Sequence, residues 1–254
     1  MRFGISNLSI IPLRSEASDR SEMTSQLIFG EHYKIIENQK KWSKIQVAHD
    51  NYVGWISNNQ VHEIDIDEFE RLEKEIPTLT TDILDIIEGN FHQPIVIGSV
   101  LPFFKSDHAL INNKMYKFTG NKTQGFSQKK HLITNALIFL NAPYLWGGRT
   151  PFGIDCSGFT QIIYRLQGIK IPRDAYQQIN LGNKINENNH KEEGDLAFFE
   201  NKNGRIVHVG IVMSDNQIIH ASGKVRIDKL DTKGIFNSEL QTYTHKLHSI
   251  NKII

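Results

Sequence analysis

The chain has 254 residues, of which 39% are hydrophobic and 22% charged, a composition that fits about two folded domains and is too apolar for a disordered chain. Lys and Arg together number 29 against 28 Asp and Glu, so the net charge of +1 lacks the basic footprint of a nucleic-acid or membrane-surface protein. The single cysteine excludes an intramolecular disulfide and any metal site built from several cysteines.

The N-terminal segment, residues 1–8, lacks the continuous apolar run of a secretory signal, and no stretch approaches the roughly 20 apolar residues of a membrane span. We therefore expect a cytoplasmic protein without membrane or nucleic-acid partners, and we expect it to be a monomer. If a signal peptide had been removed, the same sequence would belong to a periplasmic or secreted protein.

Residues 1–64 carry short strand-like runs with turn residues between them and no helical period. Runs at 28–36, broken at Gly30, at 42–47 and at 52–56 are strand candidates, and 42–47 alternates apolar and polar residues as a half-buried strand does. Strands of about five residues at spacings near ten predict a small barrel as the first domain.

Residues 65–125 are expected to hold a linker and a second, smaller barrel. The acidic stretch 65–77 predicts a linker with some helix. Beyond it the sequence returns to strand-like runs at 82–87, 94–98 and 115–118.

Residues 126–254 begin with two helical patterns. Ser127 is a candidate N-cap for the first helix, whose apolar residues 132, 133, 136, 137 and 140 have helical spacing. The second helical pattern starts near Cys156, and Gly168 stands where a glycine after the helix would terminate it. Strand-like runs follow at 196–199, 206–213 and 217–220. A helix pair followed by an antiparallel sheet is an α+β domain.

Cys156 is the candidate nucleophile, because the pattern places it at the start of the second helix. The unpaired N–H groups and the dipole of a helix N-terminus predict a thiol that is shifted toward thiolate. The small neighbours Ser157 and Gly158 leave room for a substrate carbonyl, whose oxyanion nearby backbone N–H groups would stabilise. The alternative is a cysteine buried in the core as part of the apolar helix face.

His208 and His220 are the candidate partners of Cys156. His208 interrupts an otherwise apolar strand and His220 ends the next one, so a hairpin through residues 214–216 would bring both to one face. Cysteine, histidine and an orienting group form the catalytic arrangement of cysteine hydrolases, although a single strand histidine is also compatible with a structural role. The other nine histidines, among them His32, His131 and His245, lie in polar contexts and are expected to be solvated.

These residues belong to a series of blocks that resembles the NlpC-type cell-wall cysteine peptidases in order and spacing. The blocks are Pro143-Tyr144-Leu145-Trp146-Gly147-Gly148, Gly153-Ile154-Asp155-Cys156-Ser157-Gly158-Phe159, Ile171-Pro172-Arg173-Asp174 and Gly194-Asp195-Leu196, followed by His208 and His220. The resemblance covers about residues 130–254. It implies a papain-like fold, in which a helix bearing the nucleophile packs on an antiparallel sheet bearing the histidines.

The resemblance also implies roles for individual residues. Cys156 becomes the nucleophile, His208 the general base and His220 its orienting partner, while the Tyr144 hydroxyl joins the Cys156 backbone N–H in an oxyanion hole. The substrate-binding residues in the catalytic region are Trp146, Asp155, Ser157, Arg173 and Asp174, the last four of which line the γ-D-Glu and L-Ala subsites.

Some features of these residues leave alternatives open. Ala175 replaces a serine that relatives often carry after the aspartate, so one hydroxyl contact is lost or replaced. Arg173 and Asp174 are also compatible with a surface ion pair, and Tyr144 and Trp146 with core packing.

The N-terminal part resembles the bacterial SH3-type domains of one branch, the γ-D-glutamyl-L-diamino acid endopeptidases that recycle murein peptides. Residues 21–31 and Tyr52-Val53-Gly54-Trp55 carry this resemblance, which implies two SH3-type domains before the catalytic domain. In this branch a tyrosine, here Tyr52, reaches the active site and helps to recognise a free amino-terminal L-Ala, together with a glutamate for which Glu22 is the candidate. Asn51 replaces the family's glycine before that tyrosine, and barrel-core packing is the alternative for Tyr52.

The sequence therefore predicts a cysteine endopeptidase that cleaves the γ-D-Glu–diamino acid bond of short murein peptides without a metal or other cofactor. The expected division is residues 1–64 and 65–125 for the two SH3-type domains and 126–254 for the peptidase domain. Two alternatives stay open: an acyltransferase or amidase on the same scaffold, and a non-catalytic wall-binding module. The identity of the diamino acid is also left open.

Overall fold

The computed structural model describes residues 2–126, 129, 131–185, 191–214 and 216–253. The chain forms two compact units, of which unit 1 is Met1–Ser127 with Trp146–Pro151, and unit 2 is Gln128–Leu145 with Phe152–Ile254. Ser127, the predicted N-cap, and Asp215, within the predicted hairpin turn, lie outside the described residues. No helix of the described part of the chain is long and apolar enough to cross a membrane.

Unit 1 begins with a seven-stranded antiparallel sheet. Its strands are β1 (Arg2–Ile5), β2 (Ile10–Arg14), β3 (Met23–Ile28), β4 (His32–Asn38), β5 (Trp42–Val47), β6 (Val53–Ser57) and β7 (Glu63–Ile64). They lie in the order β3-β2-β6-β5-β4-β1-β7, with a 3₁₀ turn at Asn58–Gln60 before the last strand. Alternate side chains bury an aliphatic core that includes Ile11, Leu27, Ile45 and Ile56.

The turn between β3 and β4 requires a glycine at position 30. Gly30 has φ +77°, and a Cβ atom there would lie 2.1 Å from the backbone carbonyl oxygen of Val100. Both facts exclude a side chain at this position, which explains why the predicted strand pair breaks at this residue.

Helix α1 (Ile66–Lys74) occupies the stretch that the sequence predicts as a linker with some helix. Asp65 is its N-cap and accepts a hydrogen bond of 2.7 Å from the N–H of Glu68. Phe69 and Leu72 are buried, and the ring of Phe69 stacks on Phe3 at 4.4 Å. The segment is therefore a packed amphipathic helix.

The rest of the N-terminal part of unit 1 consists of two small sheets. Their strands are β8 (Thr78–Thr80), β9 (Leu84–Glu88), β10 (His92–Val96), β11 (Val100–Leu101), β12 (His108–Ile111), β13 (Lys114–Lys117) and β14 (Lys122–Gln124). One sheet has the order β10-β9-β13-β12 and the other β11-β8-β14. Ile87, Ile95 and Ile111 from these strands share a core with Phe69 of α1 and with Phe3 of β1.

Residues 146–151, which contain β15 (Arg149–Thr150), belong to unit 1, and a buried ion pair joins this segment to Glu31 of the same unit. Arg149 Nη1 and Nη2 donate to the two carboxylate oxygens of Glu31 at 2.8 and 3.0 Å. The backbone N–H of Arg149 also donates to Gln26 Oε1 at 2.8 Å. A bidentate guanidinium–carboxylate pair of this kind fixes both the position and the orientation of residues 146–151.

In its described residues, unit 2 contains three helices, a seven-stranded antiparallel sheet and the short strand β16. Its elements are α2 (His131–Ile138), β16 (Gly153–Ile154), α3 (Cys156–Leu166), α4 (Ala175–Gln178), β17 (Asn183–Lys184), β18 (Leu196–Glu200), β19 (Ile206–Met213), β20 (Gln217–Ser222), β21 (Lys224–Leu230), β22 (Gly234–Asn237) and β23 (Thr242–Lys252). The main sheet has the order β17-β23-β18-β19-β20-β21-β22, and β22 also pairs with β23. Strands β18 to β23 thus close on themselves, and the described part of unit 2 has the predicted α+β composition.

Helix α3 is fully buried and packs against β19 and β20. Gly168, with φ +79°, follows its C-terminus as the sequence predicts. The first predicted helix is shorter than its apolar pattern: α2 ends at Ile138, and Leu137 and Leu140 are exposed. Only Leu132 and Ala136 of that helix are buried.

Candidate active site

Cys156 is the first residue of α3, and its position is fixed by the residue before it. Asp155 is the N-cap of this helix, and its carboxylate accepts the N–H of Gly158 at 2.7 Å. The Cys156 sulphur receives backbone hydrogen bonds from Ser157 and from Val209, the residue after His208 in β19. The nucleophile candidate therefore lies directly beside the strand that carries the base candidate.

The structure contradicts the expectation of a resting thiolate at Cys156. Burial, followed by the negative charge of Asp155, raises the pKa of Cys156 to about 12. The backbone N–H groups and the guanidinium of Arg173 lower this pKa, but by less. The helix terminus fails to stabilise the thiolate because a carboxylate already caps it and because the sulphur is removed from water. A base must therefore take the thiol proton.

His208 and His220 lie together, as the sequence predicts. His208 Nε2 and His220 Nδ1 are 2.8 Å apart, and both side chains are buried. Burial and the two neighbouring imidazoles of His220 and His245 lower the pKa of His208 well below its usual value. Burial also lowers the pKa of His220, and Asp228 offsets only part of that shift. Both rings are accordingly neutral near pH 7.

Asp228 is a buried neighbour of this pair that the sequence reasoning missed. Its Oδ2 lies 3.1 Å from His220 Nε2, and its side chain is 3% exposed. The β20–β21 register pairs His220 with Arg226 and Ile218 with Asp228, so Asp228 is the diagonal neighbour of His220 on the same face. The signal in the sequence is the alternation of β21, which places this acidic residue on the face of the histidines.

His245 corrects another prediction, since it is not solvated. It is half-buried in β23, and its ring stacks on His208 with centroids 4.1 Å apart. Burial and the neighbouring His220 lower the pKa of His245 to about 4. Its polar sequence context gave no hint of this, because the contact depends on the pairing of β23 with β18 and β22.

The three histidines offer ring nitrogens that all lie within 4.8 Å of one another. A metal ion does not fit this arrangement well. His208 Nε2 and His220 Nδ1 already face each other in a hydrogen bond, and the stacked rings of His208 and His245 direct their lone pairs along nearly parallel planes. A metal needs lone pairs that converge on one point. The absence of a cofactor stays a prediction of the sequence.

Arg173 is buried and pairs with Asp155, so the alternative of a surface ion pair is wrong. Its Nη1 lies 3.0 Å from Asp155 Oδ1 and 3.0 Å from Ser157 Oγ, and its Nη2 lies 2.6 Å from Asp155 Oδ2. The structure thus brings together three of the four residues predicted to line the substrate subsites. The fourth, Asp174, is half-buried at the start of α4.

Tyr144 lies within electrostatic reach of the cysteine. Burial, followed by negative charge at Cys156 and at Asp155, raises the pKa of the Tyr144 phenol. Its backbone N–H donates to the carbonyl of Gly223 at 3.0 Å, which anchors the residue at the end of β20. The hydroxyl therefore keeps its proton and remains a hydrogen-bond donor.

Three predicted binding residues lie in unit 1. The indole of Trp146 is 59% exposed and its Nε1 donates to Glu22 Oε1 at 2.5 Å, so core packing does not describe Trp146. Tyr52 is half-buried and packs against the aliphatic core of the first sheet. Barrel-core packing is compatible with this position of Tyr52, and its role in substrate recognition stays a prediction.

Comparison with known proteins finds a family match in each half of the chain. Residues 141–244 match the NlpC/P60 family, and residues 13–61 match the bacterial dipeptidyl-peptidase SH3 domain. A solved NlpC/P60 family protein from Bacillus cereus ATCC 10987 superposes with a TM-score of 0.84 at 21% identity and covers 99% of each chain, which shows a shared fold. The protein thus contains a papain-like NlpC/P60 domain preceded by a bacterial SH3-type domain, and the family resemblance found in the sequence is confirmed.

Two curated relatives match most of this chain. The gamma-D-glutamyl-L-lysine dipeptidyl-peptidase of Bacillus cereus (strain ATCC 10987 / NRS 248) is 28% identical over 247 residues, which is 85% of this chain and 73% of the relative. The protein of the same name from Bacillus subtilis (strain 168) is 29% identical over 246 residues, covering 85% and 78% of the two chains.

Proposed function

We propose that the protein is a cysteine peptidase that hydrolyses the γ-D-glutamyl–L-diamino acid bond of murein peptides with a free N-terminal L-Ala. The observation that carries this proposal is the placement of Cys156 at the start of α3, beside the strand of His208, whose ring is hydrogen-bonded to His220. A buried thiol next to a neutral imidazole with an orienting partner is the arrangement that thiol acyl transfer needs.

In the first step, His208 Nδ1 takes the proton of the Cys156 thiol as the sulphur attacks the γ-carbonyl carbon of D-Glu. The carbonyl oxygen becomes an oxyanion, for which the Cys156 backbone N–H and the Tyr144 hydroxyl are the candidate donors. The tetrahedral intermediate then collapses. The C–N bond breaks, the protonated His208 gives its proton to the departing amine of the diamino acid, and a thioester remains on Cys156.

In the second step, water hydrolyses the thioester. His208 takes a proton from the water as its oxygen attacks the thioester carbon, and the C–S bond then breaks. The proton returns from His208 to the sulphur, which leaves a free carboxylic acid on the D-Glu side chain and restores the thiol. The neutral state of His208 in the free protein suits it to accept a proton in both steps.

The substrate assignment is supported by the relatives and by the buried polar cluster near Cys156. Both relatives are named gamma-D-glutamyl-L-lysine dipeptidyl-peptidase, and release of a dipeptide fits a substrate whose amino terminus is free. Arg173, held by Asp155 and Ser157, is a candidate for the D-Glu carboxylate, and Asp174 for the L-Ala ammonium. The assignment of Tyr52 and Glu22 to amine recognition stays a prediction of the family resemblance.

The two-domain description of the N-terminal part is also a proposal. We assign residues 1–64 to one SH3-type domain and residues 65–125 to a linker and a second one, before the peptidase domain at 126–254. The support is the presence of two small sheets after helix α1 whose strands do not pair with the first sheet. Their core also includes Phe3, Ile5 and Ile64 of the first sheet.

The test is to incubate the protein with L-Ala-γ-D-Glu-L-Lys and with its meso-diaminopimelate analogue, and to identify the products by mass spectrometry. We expect release of L-Ala-γ-D-Glu and of the free diamino acid. The Cys156→Ala and His208→Ala variants should retain less than about 1% of the turnover, because each removes a group of the acyl-transfer step. His131→Ala, which changes an exposed histidine, is the matched control and should keep full activity.

Turnover by Cys156→Ala above a few per cent of the wild-type rate would contradict the assignment of the nucleophile. The same reaction with an added amine acceptor separates hydrolysis from acyl transfer, because a transferase would produce γ-glutamyl amides instead of the free acid. Binding to intact sacculi without release of any peptide would favour the wall-binding alternative.

A further inference from the structure

The hydrogen-bonded chain that starts at the catalytic histidine candidate does not end at His220. Beyond it lies Asp228, whose carboxylate faces His220 Nε2 at 3.1 Å. A buried hydrogen-bonded chain therefore runs from His208 on β19 through His220 on β20 to Asp228 on β21. None of the sequence motifs described above includes Asp228.

The ionisation state of Asp228 is settled by its neighbours. Burial alone would raise the pKa of this carboxyl, but hydrogen bonds from His220 and Arg226 lower it below its ordinary value. Arg226 donates through Nε to Oδ2 at 2.8 Å and through Nη2 to Oδ1 at 3.1 Å. Asp228 is thus a carboxylate anion held by a bidentate contact with the Arg226 guanidinium, and it only accepts hydrogen bonds.

An anionic Asp228 determines the tautomers of both histidines. Because a carboxylate only accepts, the His220 nitrogen that faces it must carry the proton, which leaves a lone pair on Nδ1 of neutral His220. That lone pair faces His208 Nε2, so His208 must carry its proton there. Neutral His208 then has its lone pair on Nδ1, the ring nitrogen that is free to accept a proton from a thiol.

We propose that Asp228 is a positioning residue of the active site, which fixes the tautomers of His220 and His208 so that His208 Nδ1 is the basic atom. The proposal rests on the proposed function in so far as that basic atom serves Cys156. Without Asp228, His220 is able to adopt the tautomer that carries its proton on Nδ1. His208 then has to present the lone pair of Nε2 to His220, and its proton lies on Nδ1 instead. The base and the nucleophile would lose their proton-transfer geometry.

Glu239, the second carboxylate partner of Arg226, provides a matched control for this proposal. The Arg226 guanidinium contacts Glu239 through Nη1 and Oε2 at 3.1 Å, and the Glu239 side chain is 69% exposed. Asp228→Asn and Glu239→Gln therefore each neutralise one carboxylate partner of the same arginine with almost no change in shape. Only the first substitution alters a group that touches His220.

The first measurement does not depend on any substrate. Cys156 is the only cysteine of the chain, so iodoacetamide alkylation followed by mass spectrometry reports the reactivity of this thiol alone. At pH 7 we expect alkylation of Asp228→Asn and Asp228→Ala to be about 10-fold slower than that of the wild type, and alkylation of Glu239→Gln to stay within about twofold. Long-range ¹H–¹⁵N spectra of the imidazole rings should show His208 and His220 protonated at Nε2 in the wild type and in Glu239→Gln, and a mixture of tautomers in both Asp228 variants.

The second measurement is kinetic and uses the murein tripeptide L-Ala-γ-D-Glu-L-Lys as substrate. For Asp228→Asn we expect kcat to fall between about 10-fold and 10³-fold while KM stays within about twofold, because orientation of the base matters mainly in the transition state. Thermal unfolding identifies any variant that fails to fold, and Asp228→Asn preserves the shape of the side chain if Asp228→Ala does not fold.

Equal alkylation rates and unchanged tautomers in Asp228→Asn and Glu239→Gln would overturn the proposal even if the peptidase activity is found. Slow alkylation and mixed tautomers in the Asp228 variants of a protein that cleaves no murein peptide would support the proposal and reject the proposed substrate instead. A rise in KM with kcat unchanged would make Asp228 a binding residue and would also overturn its positioning role.

Discussion

The Tyr144 hydroxyl illustrates how a single atom acquires a role from the charges around it. Negative charge at Cys156 and Asp155 adds to burial in raising the pKa of this phenol, so Tyr144 remains protonated throughout the neutral range. A protonated hydroxyl within reach of a forming negative charge donates most strongly in the transition state. Tyr144 is for this reason the best candidate for a side-chain donor to the oxyanion.

We predict that Tyr144→Phe lowers kcat for the murein tripeptide by about 10²- to 10³-fold and leaves KM within a few-fold, since loss of one oxyanion donor costs about that much. Steady-state kinetics measure both constants. Tyr164→Phe is not a suitable control, because its hydroxyl bonds the carbonyl of Gly194 in the core, whereas Tyr243→Phe changes an exposed phenol. A rise in KM at constant kcat would assign Tyr144 to substrate binding.

The residue types of the site were readable from the sequence, but their electrostatics were not. Cys156, His208 and His220 stand out because a nucleophile at a helix start and two histidines at alternating strand positions are local patterns. The sign of the Cys156 pKa shift was wrong, although Asp155 is visible in the sequence as an N-cap. A helix dipole alone lowers the pKa of a thiol, but here the capping carboxylate and burial, which only the tertiary structure reveals, outweigh it.

At the scale of elements, strands and helices are predicted well where the sequence shows an alternating pattern, an apolar run or helical spacing of apolar residues. Strands β5, β18 and β19 and helix α3 occur where their periodicity placed them. The partners of β23 cannot be read from the sequence, because its register is set by pairing with the distant strand β18. Strand β21 follows β20 directly in a hairpin, but residues 224–230 carry no strand prediction. His245 is missed because of that distant pairing, and Asp228 because β21 is not predicted as a strand.

The sheet of unit 2 carries three neutral histidines, and this predicts how its stability depends on pH. In an unfolded chain their pKa lies near about 6.5, whereas in the fold burial lowers the pKa values of His208 and His220, and that of His245 to about 4. Between these values the unfolded chain binds more protons than the folded one. Stability is therefore present above about pH 6.5 and is lost as the pH falls toward about 4.

Urea unfolding at pH 7.0, 6.0 and 5.0 measures this dependence. We expect His245→Gln to reduce the slope of the unfolding free energy, by at most about 1.4 kcal/mol per pH unit, because one proton-binding difference disappears. His131→Gln alters an exposed histidine and should leave the slope unchanged. Identical slopes in the wild type and both variants would show that His245 titrates alike in the folded and unfolded chains.

At the scale of the whole molecule, the division into units does not follow the order of the chain. Arg149 lies 118 residues after Glu31, yet the two form a buried ion pair, and residues 146–151 are part of unit 1. The same segment holds Trp146, which bonds Glu22. Neither contact has a local signature, since each joins side chains whose proximity depends on the completed fold. The sequence motif around Tyr144 and Trp146 indicated the family but not this division.

Discrimination between free and blocked amino termini is the prediction that involves the most parts of the protein. If Asp174 binds the L-Ala ammonium, N-acetylation of L-Ala-γ-D-Glu-L-Lys removes a charge-assisted hydrogen bond of about 1.5–3 kcal/mol. Because about 1.4 kcal/mol is a factor of ten, we expect kcat/KM for the acetylated peptide to fall by about 10- to 100-fold or more, and intact sacculi to resist cleavage. Initial rates on the two peptides measure the ratio.

Asp174→Asn in the full-length chain should reduce this ratio, because an amide retains the shape but loses the charge that selects an ammonium. Asp231→Asn, at an exposed position of the same unit, is the matched control and should retain the wild-type ratio. Glu22→Gln and Tyr52→Phe extend the test to the residues that the family resemblance assigns to the amine. A ratio that falls only in these two variants would move amine recognition to the SH3-type domain. Equal rates of the wild type on free and acetylated peptides would show that the amino terminus is not recognised, and would leave Tyr52 as a residue of the barrel core alone.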